Sequence, residues 1–171
     1  LDEALPRVQK VTIIACGTAW HAALVGKFLI EQLCRIPVEV DYSSEFRYRE
    51  PVVGPHTLVV AISQSGETLD TLAGIKEARA QGAPTFAICN VVGSSLTREV
   101  DAVLYTHAGP EIGVAASKTF TAQLAALYLF AAYAAGRRGT LPPSRIRELL
   151  ADLLRVPQQI EATLHLDGEI E

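Results

Sequence analysis

Leu58-Val59-Val60-Ala61-Ile62-Ser63-Gln64-Ser65-Gly66-Glu67-Thr68 is the stretch on which the fold turns. Its first five residues are continuously apolar and rich in β-branched side chains, which suits a strand buried on both faces. They run directly into a short polar loop with one glycine, and from Thr68 to Gln81 the chain reads as a helix. A buried strand, a tight polar loop and a helix form the half-unit of a parallel α/β sheet.

The same half-unit repeats on either side. Upstream lie Val11-Thr12-Ile13-Ile14-Ala15 and Val38-Glu39-Val40-Asp41-Tyr42; downstream lie Thr85-Phe86-Ala87-Ile88-Cys89 and Ala102-Val103-Leu104-Tyr105. Helical stretches fall between and after them, at Trp20 to Cys34, Ser94 to Glu99 and Ser117 to Ala135. Gly82 and Pro84 mark one helix stop, and Gly136 marks another. The alternation predicts a three-layer α/β fold, a five-stranded parallel sheet with helices on both faces and right-handed crossovers.

The C-terminal part differs. Pro142-Pro143-Ser144 opens a last helix with Ser144 as its N-cap, and Leu149, Leu150, Leu153 and Leu154 form an apolar stripe. Past Pro157 the chain turns polar and acidic, which reads as a linking segment toward a further module. We therefore place one domain at residues 1–140 and a C-terminal helix and linker at 141–171.

Composition narrows the function. The chain has 171 residues, enough for one domain with a real core, and a net charge of -4 with no basic tail. That excludes the usual nucleic-acid binder. Cys16, Cys34 and Cys89 are odd in number, widely spaced and without a C-x-x-C pair, so neither a disulfide framework nor a zinc site is expected, and a reducing, cytoplasmic setting is. The apolar run from Leu124 to Ala135 is too short for a bilayer and reads as a buried helix. That helix carries no charge between Lys118 and Arg137, so it needs cover on more than one side and predicts an interface. The first residue is Leu1 rather than Met, as expected of a piece of something longer.

In an open α/β sheet, ligands bind beyond the carboxyl ends of the strands. Three loops there are polar and carry glycine. The central one, Ser63-Gln64-Ser65-Gly66-Glu67-Thr68, puts three hydroxyls before a helix N-terminus, where free amides and the helix dipole favour an anion. It holds no lysine and no Mg²⁺ ligand, so it suits a phosphate that is held and not transferred. The competing reading is that Ser65 or Thr68 is an N-cap and nothing more.

Cys16-Gly17-Thr18-Ala19 has a single glycine and is no dinucleotide fingerprint, so Asp41 at the end of the second strand is not read as a ribose ligand. Thr18 can reach a ligand at the switch point; Cys16 reads as a small buried thiol rather than a nucleophile. In the third loop, Gly109 to Lys118, Glu111, Ser117 and Lys118 stand either as contacts to a sugar or as ties, with Glu111 holding the loop and Ser117 capping the next helix. Of four histidines, His107 alone lies near the carboxyl end of a strand. Ser43 to Tyr48 mixes aromatics with charge, as an interaction surface or a solvated turn does.

Several of these stretches resemble one family in their order along the chain. They are Ala15-Cys16-Gly17-Thr18, Ser44-Glu45-Phe46-Arg47-Tyr48-Arg49, Ser63-Gln64-Ser65-Gly66-Glu67-Thr68, Ala87-Ile88-Cys89-Asn90-Val91, Gly93-Ser94-Ser95-Leu96 and Glu111-Ile112-Gly113-Val114-Ala115. Together they resemble the first sugar-isomerase (SIS) module of the glucosamine-6-phosphate synthases. The serine loop alone points to the SIS superfamily; the second and last stretches narrow it.

The resemblance implies a flavodoxin-like sheet binding fructose-6-phosphate or glucose-6-phosphate. It implies that Ser63, Gln64, Ser65 and Thr68 hold the phosphate with help from Thr18, and that Cys16, Gly17 and Val114 line the sugar. It implies a homodimer with no metal or organic cofactor. It further implies a parent chain with a glutaminase domain, a second SIS module carrying the base and ring-opening histidine, and a tail lysine, none found in these 171 residues. The parent reaction is therefore not expected of this stretch alone. Ala19 and the Ala116-Ser117 pair depart from the usual family residues, which removes polar contacts. An effector domain of a sugar-phosphate-sensing transcription regulator shares the fold and is the alternative, although no helix-turn-helix is evident.

Overall fold

In the computed structural model, which describes residues 1–113, 115–166 and 168, five parallel strands form one sheet. They are β1 (Lys10–Ala15), β2 (Val38–Tyr42), β3 (Thr57–Ser63), β4 (Thr85–Cys89) and β5 (Ala102–Tyr105), in the order β2-β1-β3-β4-β5. Strands β1, β3 and β4 are buried along almost their whole length, as their apolar runs predict. Edge strands β2 and β5 are half-buried.

Helices α1 (Thr18–Cys34) and α5 (Lys118–Arg138) cover one face, over a core that includes Ile13, Val60, Ile88, Leu127 and Phe130. Helices α2 (Ser43–Tyr48), α3 (Leu69–Ala80) and α4 (Ser95–Glu99) belong to the other, around Ile14, Phe46, Val59 and Ile75. The chain runs from β1 outward to β2 and then crosses back to β3. The strand order therefore reverses between β1 and β3, and a crevice opens at their carboxyl ends.

Three sequence expectations are corrected here. Gly136 does not stop α5; the helix runs on to Arg138 and ends at Gly139, whose φ of 70° suits a residue without Cβ. Gly136 instead lets the last helix, α6 (Pro143–Leu164), approach, because a Cβ there would meet Ile146 Cδ1 at 2.9 Å. Ser144 makes no capping bond; Pro142 takes the cap position and Pro143 opens α6, where its missing N–H costs nothing. Nor does α6 yield to a linker at Pro157: it continues through that proline to Leu164, and residues 167 and 169–171 lie outside the described set.

Ser43 to Tyr48 is a helix that buries Ser43 and Phe46 and leaves Glu45, Arg47 and Tyr48 exposed. Helix α5 is long and apolar enough to cross a membrane by length and composition, yet half of that window is buried against α1 and the sheet. Arg138 fastens its end, donating to the carbonyls of Cys34, Leu5 and Val8.

Candidate functional site

The serine loop is built by its neighbours. Ser63, the last residue of β3, is buried, and its Oγ accepts the Gly66 amide at 3.0 Å. Gly66 sits at φ 67°, and a Cβ there would collide with the Ser94 hydroxyl and stand 2.9 Å from Cys89 Sγ. Only glycine satisfies both conditions. The loop is bolted to the start of α4: Leu96 N donates to Gly66 O at 2.9 Å, and Ser95 N donates to Glu67 Oε1 at 2.8 Å. The Ser95 hydrogen bonds hold the Glu67 carboxyl below its usual range, with a smaller contribution from Arg98.

Neither Ser65 nor Thr68 caps α3. Ser65 Oγ accepts the Glu67 amide at 3.2 Å, and Thr68 Oγ1 stands 3.4 Å from Ser63 Oγ. Thr68 occupies the N-cap position without a capping bond, so the first-turn amides of α3 have no side-chain partner. The result is three hydroxyls around an open helix N-terminus.

Ala15 pairs with Ile62 across β1 and β3, so Cys16, Gly17 and Thr18 leave the sheet beside Ser63, Gln64 and Ser65. Gly17 takes φ 59° at the head of α1, with open space where a Cβ would stand. Cys16 and Thr18 are half-buried on this rim. All three cysteines are free, and burial pushes the Cys34 thiol up to about 11. Trp20 stacks on Tyr42 at 4.5 Å between ring centres, walling the β2 side.

The third loop resolves one open choice. Glu111 Oε1 accepts from Ser117 N, Ser117 Oγ and Lys118 N at 3.0, 2.9 and 3.2 Å. Its Oε2 accepts from Thr119 N at 3.3 Å and from the Thr119 hydroxyl. Glu111 thus ties the loop down and caps α5 itself, whereas Ser117 makes no capping bond. The Thr119 hydroxyl foremost, then the Ser117 amide, draws its pKa down to about 2. Val114 lies outside the described residues.

Sequence reasoning missed Asn90. It follows β4 directly, and its Oδ1 accepts from Thr106 Oγ1 at 2.9 Å and Ala108 N at 2.7 Å, while its Nδ2 donates to Gly109 O at 2.8 Å. The available signal was its place at the carboxyl end of a central strand, where polar residues have work beyond packing.

Comparison with known proteins fits this geometry. The family model described as SIS domain matches residues 5–133. A glutamine–fructose-6-phosphate aminotransferase (isomerizing) of Clostridium tetani is 52% identical over 165 residues, 96% of this chain and 27% of that protein. The enzyme of that name from Corynebacterium glutamicum is 49% identical over 172 residues, 100% of this chain and 28% of that protein. The C-terminal domain of glucosamine-fructose-6-phosphate aminotransferase from Francisella tularensis superimposes with a TM-score of 0.93 at 39% identity, over 99% of this chain and 48% of that one. The chain thus spans about a quarter of the length of the curated relatives it matches.

Proposed function

The chain belongs to the SIS domain family, and on that premise we propose that it is the sugar-phosphate-binding module of a glutamine–fructose-6-phosphate aminotransferase (isomerizing). It grips fructose-6-phosphate or glucose-6-phosphate by the phosphate group. The observation that carries this reading is the serine loop: three hydroxyls around an uncapped helix N-terminus at the point where the strand order reverses.

The chemistry follows from what each group has left to offer. Ser65 accepts the Glu67 amide inside the loop, so its hydroxyl proton is free for an outside acceptor, while Ser63 and Thr68 share one hydroxyl–hydroxyl contact and keep one proton between them for the ligand. The amides of the first turn of α3 add donors, and the dipole of that helix favours the phosphate dianion. Ser63, Gln64, Ser65 and Thr68 hold the phosphate, with Thr18 reaching across from α1. Cys16, Gly17 and Val114 line the sugar. The phosphate is an anchor, and its binding energy orients the reacting carbons for groups supplied elsewhere. A glutaminase domain and a second SIS module of the parent chain supply them, and a cytoplasmic homodimer is the assembly.

Calorimetric titration of fructose-6-phosphate into the chain and into its Ser65→Ala/Thr68→Ala variant tests this. Each hydrogen bond to a charged group contributes about 1.5–3 kcal/mol, so affinity should fall roughly tenfold to a hundredfold for each one lost. Equal affinity in the two proteins would overturn the reading.

A further inference from the structure

Beside the serine loop, an open cleft of about 430 Å³ is lined by Gln64, Asn90, Val91, His107, Gly109, Pro110 and Glu111. It lies at the carboxyl ends of β3, β4 and β5 and shares Gln64 with the proposed phosphate loop. His107 stands in it at φ 49°, a conformation uncommon for a residue with a Cβ. Asn90 enforces that turn by binding Thr106 and Ala108 on either side of the histidine and Gly109 beyond it. The imidazole is exposed beside the Tyr105 ring, 5.9 Å away, and has no hydrogen-bond partner among the described residues.

The backbone gives no reason for histidine here, since glycine adopts this turn with less strain. The cleft supplies one. Of the side chains that line it, the Gln64 amide and the His107 imidazole are left to bond, because the Asn90 amide is used in the turn and the Glu111 carboxylate is taken up by the head of α5, and the Lys118 ammonium stands at its edge beside Gly109. Neutral donors and acceptors suit hydroxyls. From the β3 loop to the β5 loop is two strand spacings, about 10 Å, a span that a sugar anchored by its phosphate extends into.

We propose that His107 is a specificity residue, its free ring nitrogen hydrogen-bonding a hydroxyl of the sugar whose phosphate sits on the serine loop. This inference rests on the proposed function above. Titrations with fructose-6-phosphate and with inorganic phosphate, each into the chain, His107→Gly and His107→Asn, test it. Both replacements tolerate the left-handed turn, and only asparagine restores a polar side chain. The glycine variant should bind fructose-6-phosphate about three- to tenfold more weakly, bind phosphate unchanged, and be rescued by asparagine. Unchanged fructose-6-phosphate affinity in His107→Gly would overturn the inference and leave the phosphate loop standing. So would an equal loss toward both ligands, which would mark a collapsed loop. A chain that binds fructose-6-phosphate no better than phosphate would overturn the proposed function, and this inference with it.

Discussion

At the head of α5, a carboxylate six residues upstream does what a capping hydroxyl does elsewhere. Glu111 gathers the Ser117, Lys118 and Thr119 amides and two hydroxyls, and so closes the loop that borders the crevice. The familiar sequence signature puts Ser or Thr at the cap with an acid three residues on. A cap that arrives from outside the helix leaves no such spacing, which is why the sequence does not decide between a sugar contact and a tie for Glu111. The consequence is a pH dependence with a definite sign. The folded-state pKa is drawn down from the usual 4.5 to about 2, so the carboxylate stabilises the fold fully above 4.5. That contribution is lost as pH falls toward 2. Glu111→Gln should melt below the parent chain at pH 7, and the gap in Tm should narrow between pH 4.5 and 2. A gap that stays constant with pH would mean that the charge of Glu111 contributes nothing.

Elements were legible where one periodicity ran unbroken. The strands announced themselves because burial on both faces makes them continuously apolar, and the serine loop because hydroxyls and a glycine separate strand from helix. Helix ends were less legible, because a glycine has two meanings that sequence does not separate. Gly139 ends α5 through its left-handed φ, whereas Gly136, three residues earlier, is a contact point for Ile146. Asn90 is obscure for a related reason: the turn it holds depends on β4 and β5 lying side by side. The contact reading of Gly136 has a test. Alanine in a helix interior is favoured over glycine by about 1 kcal/mol, but its Cβ at this site presses on Ile146 Cδ1. Gly136→Ala alone should therefore gain little or lose stability. Made in an Ile146→Val background, where Cδ1 is gone, it should gain roughly 0.5–1 kcal/mol by urea denaturation. If the substitution has the same effect in both backgrounds, Ile146 does not set the need for glycine.

At the scale of the whole molecule, the apolar surfaces are unevenly covered. Helix α5 read as apolar all round, and α1, the sheet and the start of α6 bury about half of it, leaving Leu129 and Tyr133 at 39% and 43% exposure. Helix α6 is the larger gap. Its stripe begins at Leu149, buried toward α5, and continues at helical spacing through Leu153, Val156, Ile160 and Leu164. Beyond Leu153 that stripe is exposed, with Ile160 at 50% and Leu164 at 69%. An amphipathic helix left open in this way is unusual for a monomer and seeks a partner surface. When the chain stands alone, the available partner is another copy, and a twofold pair would bury both stripes at once. Sedimentation equilibrium should show association that rises with concentration. Ile160→Glu/Leu164→Glu should weaken it about tenfold or more while leaving the melting temperature of the monomer nearly unchanged, because these residues contribute little to the core. A parent chain that stays monomeric across the concentration range would refute the role given to this stripe. Association unaffected by the double variant would move the contact to the remaining exposed apolar residues, Leu129 and Tyr133 first among them.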